Sequence, residues 1–156
     1  MKREPKRWQS QNRAQVYTEL EHPADLFLEI RGSDLPALFE NALFALYDQL
    51  ADLEGFSDSR HETIQVKAPG QAEALRALLA EALYLFAAGG FVATGATVSL
   101  RENTDGEVEV QADLWGETID RSRHTLLTEI KAVTYHRLVV EKLPSGEWRA
   151  TVLFDV

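Results

Sequence analysis

Val98-Ser99-Leu100-Arg101 and Val108-Glu109-Val110-Gln111-Ala112-Asp113-Leu114 both alternate apolar with polar side chains, and Asn103-Thr104-Asp105-Gly106 lies between them. Period two is the pattern of a strand with one buried face, and Asp-Gly supplies the backbone freedom of a tight turn. The pair therefore predicts an antiparallel hairpin. Nearer the end of the chain, Glu129 to Lys142 and Glu147 to Phe154 flank Pro144-Ser145-Gly146, with Val133, Tyr135, Leu138 and Val140 supplying strand-forming bulk. The second half of the chain thus reads as mostly antiparallel sheet.

Toward the N-terminus the period changes. Leu35, Leu38, Phe39, Ala42, Leu43, Leu46 and Leu50 recur at helical spacing behind a capping Ser33 or Asp34. A second stripe, Leu75, Leu78, Leu79, Ala82, Leu83 and Phe86, follows the Pro69-Gly70 turn and stops at Gly89-Gly90, and Gly95 reads as a turn residue. Thr63 to Lys67 alternates as a strand. Val16 to Leu20 and Leu26 to Ile30 read as two more, interrupted by the corner His22-Pro23-Ala24-Asp25, where Pro23 has no N–H to give a ladder. The predicted fold class is α+β: two amphipathic helices packed on a mixed, largely antiparallel β-sheet.

With 156 residues, 45% of them hydrophobic, the chain has the size of one domain and can bury roughly 70% of its unfolded surface. Residues 1–14 read as a flexible basic N-terminal extension, with Lys2, Arg3, Lys6, Arg7 and Arg13 against Glu4, and residues 15–156 as the single domain. Beyond the first thirteen residues the balance is 11 basic against 24 acidic groups, a net −13. Such an acidic body repels a polyanion, so strong direct nucleic-acid binding is not expected, and a basic protein or a divalent cation fits better. There is no secretory segment and no apolar run of membrane length, so a cytoplasmic protein without a membrane partner is expected. The absence of cysteine excludes disulfides, thiolate nucleophiles and sulfur-ligated metals.

Asp25 follows a corner and precedes a strand, so its carboxylate can be presented at a sheet end rather than inside the core. Asp155 closes another strand, and Val156 beside it carries the α-carboxylate. If the two ends meet, three like charges converge, and a hard divalent cation such as calcium, magnesium or manganese relieves their repulsion. The alternative stays open: a penultimate aspartate can simply be solvated, and an aspartate after a turn can cap a backbone amide. No Gly-x-x-x-x-Gly-Lys, helix-opening Gly-x-Gly-x-x-Gly or Gly-x-Ser-x-Gly is present, and Ser122 with His124 is adjacency rather than triad geometry. His61, His124 and His136 are assigned no role.

Three segments taken together, His22-Pro23-Ala24-Asp25, Thr128-Glu129-Ile130-Lys131-Ala132-Val133-Thr134-Tyr135-His136 and the terminal Asp155-Val156, resemble the archease family, protein cofactors of the RtcB-type RNA-splicing ligase. The resemblance runs from about His22 to Val156. It departs from the family at Pro23, where threonine is usual, which changes the loop and leaves the aspartate in place. The resemblance implies an archease-like fold, and a metal site made by Asp25, Asp155 and the carboxylate of Val156. It also implies a transient partner, the ligase, whose guanylylation and multiple turnover in tRNA splicing and RNA repair the protein promotes without being an enzyme itself. His22 reads either as a further ligand or proton carrier or as a corner histidine bonding backbone, and Lys131 either as a contact to the partner or as an exposed strand lysine. Readings from other classes are a non-catalytic adaptor or chaperone-like module and a small metal-dependent phosphohydrolase.

Overall fold

The computed structural model describes residues 6–21 and 24–156. In chain order the elements are α1 (Arg13–Val16), β1 (Tyr17–Leu20), β2 (Asp25–Gly32), α2 (Leu35–Leu50), β3 (Arg60–Ala68), α3 (Gln71–Gly89), β4 (Phe91–Glu102), β5 (Val108–Thr118), β6 (Ala132–Val133), β7 (Val139–Lys142) and β8 (Trp148–Asp155). The α+β class holds. Every strand pair among the described residues is antiparallel, and the strands form two sheets rather than one. One sheet runs β1-β2-β8, with β6 and β7 both on the far side of β8; the other runs β3-β5-β4.

The second sheet explains α2. Its sequence places apolar residues well beyond one stripe, and Phe44, Ala45 and Tyr47 are buried along with Leu38, Phe39, Ala42, Leu43 and Leu46. A helix apolar on most sides needs cover on most sides. It obtains that cover by packing against β4 of one sheet and β2 of the other. Asp34 starts the helix by accepting a hydrogen bond from the Ala37 amide at 2.8 Å. The helix α3 is simpler: Ala74, Leu75, Leu78, Leu79, Ala82 and Leu83 are buried in one stripe, and Gly90, at φ 69°, closes it in the left-handed conformation. Among the described residues no helix is long and apolar enough to cross a membrane.

Two expectations about strands change. The hairpin of β4 and β5 is as predicted, but β4 begins at Phe91 and passes through Gly95, which lies in the strand after a bulge between Ala93 and Gly95. Residues 91–96 are all buried, so the alternation that marks a half-exposed strand is missing there. The predicted strand from Glu129 to Lys142 is split into β6 and β7. The cause is Arg137, at φ 57°, whose left-handed backbone cannot continue a strand.

Part of the basic N-terminal stretch, expected to be a flexible extension, is tied to the body. The Trp8 amide donates to the Thr94 carbonyl at 2.8 Å, and its ring lies 5.5 Å from Phe44 and stacks over Tyr47. Arg7 donates to the Leu53 carbonyl at 2.8 Å. Ser10, Arg13 and Tyr17 converge on Asp48 of α2, at 3.2, 2.7 and 2.6 Å. Composition hid this, because the anchors are one tryptophan and one buried acid that had no visible partner.

Candidate metal centre at the end of the β2-β8 ladder

The ladder between β2 and β8 decides where the two aspartates lie. Leu26, Leu28 and Ile30 are opposite Phe154, Val152 and Ala150, and all six are buried. That register points the alternate residues to the other face, where Phe27 is opposite Leu153, and Asp25, first in β2, is opposite Asp155, last in β8. Residues directly opposite in an antiparallel pair share a face with Cβ atoms about 4.5–5.5 Å apart. The two carboxylates are therefore neighbours. The next residue, Val156, is 41% exposed.

On the other side of β8, Ala132 is the register partner of Asp155, and the Lys131 amide donates to the Asp155 carbonyl at 2.8 Å. This is how the 128–136 segment meets the chain end: it is the strand that holds Asp155 in place, and Lys131 is exposed beside it. His22 and Pro23 lie outside the described residues. Ala24, just before Asp25, has φ 65°, a conformation a non-glycine residue adopts at a cost. Only Ala24 and Arg137 among the described non-glycine residues have positive φ.

Arg137 was not singled out by sequence. Its guanidinium lies 5.2 Å from the centroid of the Phe27 ring, and its carbonyl accepts a hydrogen bond from the Thr151 hydroxyl at 2.8 Å. Phe27 is two residues from Asp25 on the same face. The only sequence signal was an arginine interrupting a run of strand-forming residues.

As donors, two carboxylates and an α-carboxylate are hard oxygen ligands, the set that calcium, magnesium and manganese take. Among the described residues no group of three or more His, Cys, Asp or Glu side chains gathers as a metal cluster.

The other histidines have structural partners. His124 is buried: its Nδ1 accepts from the Asp120 amide at 2.9 Å, so the proton is on Nε2, which lies 3.0 Å from the Gly55 carbonyl. Its ring stacks on Phe56 at 3.6 Å. Glu117, 3.2 Å from His124 Nε2, is held down to about 2 by the Ser57 amide and then by Arg123. His61 is 3.0 Å from Asp113, which Thr63 also contacts at 3.2 Å. A shallow cavity of about 620 Å³ on the β3-β5-β4 sheet is lined by Gln65, Lys67, Ser99, Arg101, Glu109 and Gln111 among others. Both of its cations are already paired with Glu109.

The Archease protein family (MTH1598/TM1083) matches residues 17–156. The protein archease of Methanosarcina mazei is 34% identical over 140 residues, covering 90% of this chain and 95% of that protein. That of Pyrococcus furiosus is 31% identical over 136 residues, covering 87% and 95%, and that of Archaeoglobus fulgidus 34% identical, covering 90% and 98%. The fold is similar to the solution structure of Methanobacterium thermoautotrophicum protein 1598, with a TM-score of 0.72 at 22% identity over 90% of this chain and 98% of that one. The docked arm before Tyr17 lies outside the family match, while the carboxylate pair, the segment that holds it and the chain end all lie within it: this chain belongs to the archease family.

Proposed function

We propose that this protein is a cytoplasmic, non-catalytic activator of an RtcB-type RNA ligase, promoting the ligase's guanylylation and multiple turnover in tRNA splicing and RNA repair. Its working site is a divalent cation held by Asp25, Asp155 and the α-carboxylate of Val156. The observation that carries the reading is the β2-β8 register, which brings Asp25 and Asp155 together in a chain of the archease family.

Each residue has a separable job. Asp25 and Asp155 supply anionic oxygens from two adjacent strands, so their spacing is fixed by ladder hydrogen bonds rather than by flexible side chains. Val156 adds a third oxygen donor with no further chain to order. Lys131, through its amide, pins the strand end that carries Asp155, and its exposed ammonium faces the partner. When bound, the cation supplies a Lewis-acid centre for phosphate oxygens at the ligase. The site is at the exposed end of a sheet, where a larger protein can close over it.

The direct test is transfer of GMP from labelled GTP to the cognate ligase, with and without this protein and with Asp25→Ala. Acceleration by the wild type and none by the variant is expected. Equal acceleration by both removes the carboxylates from the mechanism, and acceleration by neither favours the adaptor reading.

A further inference from the structure

The carboxylate pair has a cation on its own face. Asp25 and Phe27 are alternate residues of β2, about 7 Å apart along the strand, and Asp155 and Leu153 face them across the ladder. The Arg137 guanidinium lies over the Phe27 ring, one cross-strand row from the carboxylates. It is exposed, and among the described residues it forms no ion pair. Its backbone is in the left-handed region at φ 57°, where glycine or asparagine is less strained than arginine. The Thr151 hydroxyl latches its carbonyl. A strained residue held by a specific latch, with a charge that has no carboxylate partner among the described residues, points to a role for the side chain.

Resting on the reading of Asp25, Asp155 and Val156 as a divalent-cation site, we propose that Arg137 is a built-in counter-cation that positions itself beside the carboxylates and holds their affinity for the ion down. With no divalent ion bound, its positive charge offsets the repulsion between the two aspartates. With the ion bound, it repels it. The site then takes up and gives back the ion readily, as a transient cofactor needs and a structural metal site does not. Lys131 and His136 flank the same end of the sheet. Arg137 differs from both in lying over the row next to the pair.

The test is Mn²⁺ binding to the full chain with a free C-terminus, read from the electron paramagnetic resonance signal of free aqueous Mn²⁺. Arg137→Gly keeps the left-handed backbone while removing the charge, and thermal melts without metal check the fold of every variant. At low ionic strength Arg137→Gly should bind Mn²⁺ roughly threefold to tenfold more tightly than wild type, as removal of a like charge from beside a solvent-screened site implies. Arg137→Glu should bind more tightly still, and Arg137→Lys within about twofold of wild type. The gain should shrink in 0.5 M NaCl. Wild-type binding that needs Asp155 but is unchanged in Arg137→Gly and Arg137→Glu overturns this proposal alone. If neither wild type nor any Arg137 variant binds Mn²⁺ better than Asp155→Asn does, the cation-site reading falls and this proposal with it.

Discussion

At the scale of single residues, the account rests on two aspartates that are 130 positions apart in sequence and opposite each other in the ladder. A ligand that binds only the folded chain stabilises it by RT ln(1 + [L]/Kd), about 2.7 kcal/mol at a hundredfold excess over Kd. Mn²⁺ should therefore raise the melting temperature of the wild type and leave that of Asp155→Asn unchanged. Extending the chain beyond Val156 should weaken the shift, because the α-carboxylate becomes an amide. Equal shifts for wild type and Asp155→Asn would contradict the assignment. The aspartates were legible in the sequence because each sits at a strand end, one after a corner and one before the terminus. Their proximity was not legible, since register is a pairwise property of two strands. Arg137 was invisible for a different reason: a left-handed arginine looks like any polar residue in a strand until its φ is known.

At the scale of elements, the predicted helices and the β4-β5 hairpin match their amphipathic and alternating patterns, and the two strand expectations that change do so where alternation is lost. Where a strand is buried on both faces or broken by a single residue, period two disappears, as in residues 91–96 and at Arg137. Inside β5, Gly116 marks a close crossing: a Cβ there would meet the Val92 carbonyl oxygen and come within 2.7 Å of the Ala93 Cα. Gly116→Ala should destabilise the protein by about 3 kcal/mol or more in denaturant unfolding, because backbone has to give way. The end of β5 also carries a pH dependence. Glu117 is lowered from 4.5 to about 2 by the Ser57 amide and Arg123, and Asp120 from 3.8 to about 2, chiefly by Ser122 and then Arg123. A carboxylate whose folded value is depressed contributes stability above its unfolded value and loses it as pH falls toward the folded value. Stability should therefore decline between about pH 4.5 and about pH 2, and Glu117→Gln should flatten that decline in melts run across the window. An unchanged pH profile in Glu117→Gln would show that the loop draws its acid sensitivity from elsewhere.

At the scale of the whole molecule, α2 joins both sheets, the N-terminal arm and the segment leading to the candidate site. Its buried Asp48 takes Arg13, Ser10 and Tyr17 from the arm and β1, and burial with that acceptor pushes the Tyr17 hydroxyl well above its ordinary value. At its C-terminus, the carbonyls of Gln49 and Leu50 accept from Thr128 and Leu127, which lead to Lys131 and Asp155. Arg13→Ala leaves a buried carboxylate without its cation and should cost about 2–4 kcal/mol in chemical denaturation. A loss under about 0.5 kcal/mol would return the arm to the status of a loose extension. The composition of the arm suggested flexibility because nothing in the sequence marked Asp48 as buried, whereas the acidic body and the absence of cysteine were readable at once. The measurement that bears most directly on the central claim is multiple-turnover RNA ligation by the cognate ligase with GTP and Mn²⁺, comparing no addition, untagged wild type and Asp155→Asn. Turnover sustained by wild type and not by the folded variant is the predicted result, and equal turnover with both proteins would contradict it.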